Sequence, residues 1–268
     1  MRTILALLLC CSGFAVGATE RICLQPSDRI VYQANCDTQI QPIAEVQPEL
    51  SAYRQSMLGR SAMLWIGGKT QAVVDRFPAL IRAAKQYPNI KSVYLYDELF
   101  WTGQAVQIGL HESEVLSGAQ IAHAAGLKTA ISITPQAILH PDFALRDSNA
   151  FDLIAIIVYP GYAIATPQGC TFDGNRLSTA LYCSYMRLLS LGYRGRIGYV
   201  AQGFAIEGTA YNETVQQFAL QKQTIDKAHA MHVDAFMAWG VYLGRAEIAA
   251  EPFLQPLGGT AFEPLLYP

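Results

Sequence analysis

Between residues 61 and 240, short continuously apolar runs alternate with longer amphipathic ones. The apolar runs are Ala62–Ile66, Ser92–Tyr96, Thr129–Ile133, Leu153–Tyr159, Ile197–Ala201 and Ala235–Trp239, with starts 30, 37, 24, 44 and 38 residues apart. Runs rich in Ile, Val, Tyr and Ala with no polar alternation suit parallel strands covered on both faces. A βαβ crossover takes about 30 residues or more, so each interval holds one helix.

The intervening segments carry helical stripes. Val73, Phe77, Leu80, Ile81 and Ala84 share one face, with Pro78 starting a helical segment. Leu177, Leu181, Leu188 and Leu189 mark a second stripe, and Val215, Phe218 and Ile225 a third. Thr214 with Gln217 reads as a capping box, and Gly126 as the stop of a helix ending near Ala125. The expected class is α/β, a (β/α)8 TIM barrel that is complete or has irregular first units. Two further strands are needed. Arg29–Gln33 supplies one candidate and Pro42–Val46 a poorer one. An open doubly wound sheet is the alternative, but no Gly-x-Gly-x-x-Gly follows any strand. No Walker A loop is present either.

The N-terminus reads differently. Arg2 precedes an apolar run from Ile4 to Val16, and Val16-Gly17-Ala18 offers small residues at a cleavage site. Residues 1–18 are expected to be a signal peptide, leaving a single β/α-barrel domain over 19–268 and a secreted or periplasmic protein. A lipoprotein anchor on Cys10 or Cys11 is the minor alternative, since neither follows the small residue that such processing favours. The remaining cysteines, Cys23, Cys36, Cys170 and Cys183, allow three pairings. Short loops favour Cys23–Cys36 and Cys170–Cys183.

Charge narrows the partner. Nineteen basic residues against 21 acidic ones leave no surplus to hold nucleic acid. No later segment is long and apolar enough to span a bilayer. A monomer with a polysaccharide or oligosaccharide partner and no cofactor or metal is expected. His229, His232 and Asp234 could form a metal pair, but no third-ligand motif supports it.

Barrel chemistry collects where strands end. The sharpest signal there is Tyr94-Leu95-Tyr96-Asp97-Glu98. Period-two alternation places Tyr94, Tyr96 and Glu98 on one face. Adjacent carboxylates beside tyrosines and Trp101 suit chemistry in which one carboxyl gives a proton while its neighbour stays ionised. An acidic helix start is the competing account. Other strand ends are aromatic: Trp65 before Gly67-Gly68, Tyr159 before Pro160, Phe204 after Gly203, and Trp239 before Gly240. Sugar rings pack their C–H faces on such rings, although ordinary barrel packing accounts for any one of them.

These segments, over roughly residues 60–242, resemble a diverged chitinase-type glycoside hydrolase family 18 barrel. Met63 to Gly68 resembles that family's third-strand motif, with Trp65 at its serine position. Tyr94 to Glu98 falls where the family carries Asp-x-Asp-x-Glu, and Thr129–Pro135 resembles the strand that follows. Phe151–Tyr159 resembles its sixth strand. The resemblance implies that Glu98 protonates the leaving oxygen, that Tyr159 contacts the substrate and that Trp239 floors the sugar subsite. The expected site adds Asp97 to tune Glu98 or stabilise developing positive charge, Tyr96 to orient the sugar with Tyr159, and Trp65 and Trp101 as further substrate-binding aromatics. Two departures bear on mechanism. Tyr96 stands where the family has the aspartate that assists the substrate's amide, and Pro160 replaces the polar residue after the tyrosine. Asp97 could take over that role only through a shift of register. A two-carboxylate mechanism is the competitor, with Glu207 as the distant partner. A binding protein on a catalytically decayed barrel is the third option.

Overall fold

The computed structural model describes residues 20–24, 38–42, 61–66, 75–102, 105–160, 169–202 and 215–239. The strands are β1 (Glu20–Leu24), β2 (Thr38–Pro42), β3 (Ser61–Trp65), β4 (Ile90–Leu99), β5 (Lys128–Ile133), β6 (Leu153–Ile157), β7 (Arg196–Gln202) and β8 (Ala235–Trp239). Each pairs in parallel with its sequence neighbours, and β1 pairs with β8. The sheet therefore closes on itself. The fold is a closed (β/α)8 barrel.

The six apolar runs are β3 to β8. The first two strands differ from expectation: β1 begins at Glu20, and β2 reaches only Pro42 at its end. Arg29–Gln33 and residues 43–46 of the other candidate lie outside the described residues. Both strands are five residues long and mix charged or polar residues with apolar ones, which leaves little apolar signal to read. Pairing decides their place. Glu20 N–H donates to Asp234 O, and Ile22 lies in register with Thr38 on one side and Met237 on the other.

The described helices are α1 (Phe77–Lys85), α2 (Glu112–Ala124), α3 (Pro135–Ile138), α4 (Arg176–Ser190) and α5 (Val215–Ala230). In α1, Pro78 occupies the first turn, where its missing N–H costs nothing, and Phe77, Leu80, Ile81 and Ala84 are buried. Helix α4 is capped by Asn175, whose side-chain oxygen accepts from the N–H groups of Leu177 and Ser178 at 2.9 and 3.3 Å. Its buried stripe includes Leu177, Leu181 and Leu188. Residue Val73 and the capping box at Thr214 lie outside the described residues.

Three helices end in the same motif. After α2, Leu127 N–H bonds Ala122 O and Gly126 N–H bonds His123 O, with Gly126 left-handed at φ +78°. After α4 the equivalent pairs are Tyr193 to Leu188 and Gly192 to Leu189. After α5 they are Val233 to Ala228 and His232 to His229. This last turn puts a histidine, φ +56°, where the others use glycine.

The strands separate two apolar layers. Ile22, Met63, Tyr94, Ala130, Leu153, Ala155, Ile157, Tyr159, Val200, Ala235 and Met237 form the cluster inside the barrel. Leu64, Val93, Leu95, Ile131, Ile154, Ile156 and Ile197 alternate with them and pack outward with the helices. Tyr94 and Tyr159 need room, and alanines at positions 130, 155 and 235 supply it. Cys170 and Cys183 form a disulfide that ties the segment before α4 to the helix itself. The expected Cys23–Cys36 pair lies outside the described side chains.

The barrel's N-terminal rim is closed by polar contacts. Glu20 accepts from Thr38 Oγ1 and pairs with Arg196 at 2.6 Å. Asp234 Oδ2 accepts from Ile197 N–H at 2.9 Å. Asp152 Oδ2 meets His123 Nε2 and accepts from Thr129 N–H, both at 2.8 Å. These groups sit opposite the end where barrel chemistry occurs and hold strand starts in register.

Candidate active site at the barrel mouth

Strand β4 does not keep strict alternation. Its register against β5 runs Tyr94 to Ala130, Tyr96 to Ile131 and Leu99 to Ile133, with a shift in each interval. Each shift inserts one extra residue on β4, as a β-bulge does. The first leaves Leu95 and Tyr96 both in the outer layer. The second inserts Glu98, whose backbone is left-handed at φ +55°.

Between the two shifts, Asp97 turns to the inner face. Its Oδ1 accepts from Tyr94 Oη at 3.1 Å and from Ser132 Oγ at 2.9 Å. Ser132 follows Ala130 by two residues and so shares its inward face. Ser132 Oγ accepts in turn from Glu98 N–H at 2.8 Å. A single hydroxyl thus joins the two acidic residues, each only 8% exposed. Burial, and then the negative charge of Asp97, push the Tyr94 phenol well above its ordinary pKa. Tyr94 therefore stays protonated and donates to the carboxylate.

The sequence pattern expected Tyr94, Tyr96 and Glu98 on one face. The structure instead brings Tyr94, Asp97 and Ser132 together, because the bulge reverses the alternation after Leu95. Tyr96 is buried in the outer layer with its ring centroid 5.7 Å from that of His111. Tyr159 is buried in the inner cluster with Tyr94. Trp65 ends β3 in register with Tyr94, and Trp239 ends β8 in register with Gln202. Trp101 follows β4, half-buried, and forms a bridge with Val106, while its N–H bonds Glu98 O at 2.9 Å. Phe204 and Glu207 lie outside the described residues.

Two contributors were not singled out from the sequence. Ser132 is one, and its only sequence signal is a polar residue inside the apolar run Thr129–Ile133. Gln221 is the other. From α5, its Nε2 donates to Gln202 O at 2.7 Å and its Oε1 accepts from Gln202 N–H at 3.0 Å. That reciprocal pair fixes the end of β7 at the mouth.

His229 and His232 are exposed on and after the end of α5, and His232 serves the helix-ending turn. Among the described residues, no group of three or more His, Cys, Asp or Glu is placed to hold a metal ion. Among them, too, no helix is long and apolar enough to cross a membrane.

Similarity to known proteins is structural alone. The chain is similar to a GH10 endoxylanase retrieved from a sugarcane soil metagenome, with TM-score 0.53 and 9% identity, covering 88% of this chain and 90% of that one. It is also similar to the spore cortex-lytic enzyme SleL of Bacillus megaterium QM B1551, with TM-score 0.50 and 10% identity, covering 83% and 70%. At such identities the likeness establishes the barrel fold. No protein-family model matches the chain, and no curated protein does.

Proposed function

We propose that this chain is an exported glycoside hydrolase acting on a polysaccharide, with Glu98 as general acid. The observation that carries the reading is the inward turn of Asp97 beside Glu98, at the barrel end where such chemistry sits. Glu98 delivers its proton to the leaving glycosidic oxygen. Asp97, held by two hydroxyls, keeps a negative charge at a fixed place for positive charge that develops on the sugar. The register shift supports giving Asp97 the part that the chitinase-type resemblance assigns to the position held by Tyr96. Polysaccharides containing N-acetylated amino sugars are therefore the first substrates to test. Tyr159, Trp239, Trp65 and Trp101 are the proposed sugar-binding aromatics, and Tyr96 supports β4 from the outer layer. Residues 1–18 are the proposed leader, and the protein works as a monomer without cofactor.

One observation favours a second reading. Both hydroxyls around Asp97 converge on the same oxygen, as in a purely structural buried carboxylate. A non-catalytic glycan-binding protein on the same barrel would keep that arrangement. Glu98→Gln separates the two. The hydrolase reading expects release of reducing ends from a polysaccharide panel to fall about 10²- to 10⁴-fold, with binding retained. Release at the wild-type level removes Glu98 from the acid role. Binding without turnover by the wild-type protein establishes the second reading.

A further inference from the structure

Phe172 and Met186 are the large apolar residues left exposed among those described, at 38% and 45%. They lie outside the candidate site. Phe172 stacks on Tyr182 with ring centroids 4.5 Å apart and planes 11° from parallel. Tyr182 and Met186 are four residues apart on α4 and so share a face. Tyr182 covers one face of the Phe172 ring, and the residue as a whole keeps 38% of its surface exposed.

The platform is rigidly anchored. Disulfide Cys170–Cys183 brackets the stacked pair, starting two residues before Phe172 and ending one after Tyr182. Asp173 accepts from Asn175 N–H at 3.0 Å and from Ser178 Oγ at 2.5 Å, and lies 3.9 Å from Lys227 Nζ. A covalent tie, an Asx turn at the helix start and an ion pair thus fix the segment that carries this partly exposed ring.

We propose that the Phe172–Tyr182 pair is a secondary glycan-holding platform that stacks a pyranose ring of the polysaccharide away from the inner site. The proposal rests on the glycan reading above. Size argues for a sugar over a protein. A stable protein interface buries about 800 Å² on each partner, far more than this small patch offers. One sugar ring needs one flat apolar face with polar groups beside it, and Asp173, next in the chain to Phe172, lies 3.9 Å from Lys227 Nζ. The platform stands on the segment between β6 and α4, which follows strand-end residue Tyr159. A chain gripped there would be a polymer rather than a short oligosaccharide.

The test is retention of wild type and Phe172→Ala on insoluble chitin, xylan, cellulose and peptidoglycan, with Met186→Ala as a second surface variant. Phe172→Ala should lose about three- to tenfold in affinity for the polymer that retains wild type. It should melt normally and bind a short oligosaccharide of that polymer unchanged. Equal retention of Phe172→Ala and wild type overturns the platform and leaves the glycan reading standing. Retention of wild type by none of the polymers overturns both. A wild-type dimer in sedimentation that Phe172→Ala dissolves would assign the patch to a second copy of this chain and overturn the proposal.

Discussion

Ser132 Oγ donates to Asp97 Oδ1 across the β4–β5 boundary at 2.9 Å while accepting from the Glu98 backbone N–H. One small side chain therefore sets the carboxylate's direction and satisfies the peptide of a left-handed residue. Ser132→Ala removes both bonds in a fully buried setting. A loss of about 1–3 kcal/mol is expected in urea unfolding, since an unsatisfied buried donor carries its full desolvation cost. If the proposed hydrolase is active, its turnover should fall further than its substrate affinity. Unchanged stability would show that Glu98 N–H finds another acceptor.

His232→Gly tests the helix-ending turn after α5. His232 is exposed and left-handed at φ +56°, where a Cβ is disfavoured. Glycine relieves that conformation at some cost in unfolded-chain entropy, and a gain of about 0.5–1 kcal/mol is expected by thermal melting. A drop in melting temperature would mean that the imidazole makes a compensating contact.

Gly195→Ala should act the opposite way. A Cβ there would meet the Tyr193 hydroxyl and stand 2.7 Å from the Phe151 carbonyl oxygen. Tyr193 Oη donates to Phe151 O at 3.1 Å and Arg196 O at 2.9 Å, so the clash displaces a buried tether at the foot of β7. The expected cost is about 1–3 kcal/mol in chemical denaturation. Wild-type stability would indicate that the backbone yields freely.

Acid should loosen the N-terminal rim. Burial opposes ionisation of Asp152, but hydrogen bonds from His123 and Thr129 outweigh it and hold the carboxyl below its ordinary range. A depressed folded value stabilises the fold above the unfolded value of about 3.9 and is lost as pH falls through the folded value. Asp152→Asn should therefore lower the melting temperature at pH 6 and differ less from wild type at pH 3. A difference that stays constant with pH would assign the effect to packing.

Disulfide Cys170–Cys183 encloses a short stretch, with a sequence separation of 13. Replacing both cysteines by serine is expected to cost about 2–4 kcal/mol, read as a lower denaturation midpoint under non-reducing conditions. An unchanged midpoint would show that the Asn175 cap and Asp173 contacts suffice for this segment.

Six strands were legible in the sequence, because a strand buried on both faces must be apolar along its length. Two helices, α1 and α4, showed their stripes because each buries one face against the sheet, and Gly126 marked a helix end because a left-handed residue favours glycine. The carboxylates Asp97 and Glu98 stood out as a pair at a strand end. The first two strands were not legible, since their places come from hydrogen bonding to β8 and β3 rather than from composition. Nor was the facing of β4. A bulge leaves the residue types untouched while reversing which of them point inward. Only closure of the barrel, with Ser132 brought across from β5, decided that Asp97 and not Tyr96 joins Tyr94 inside.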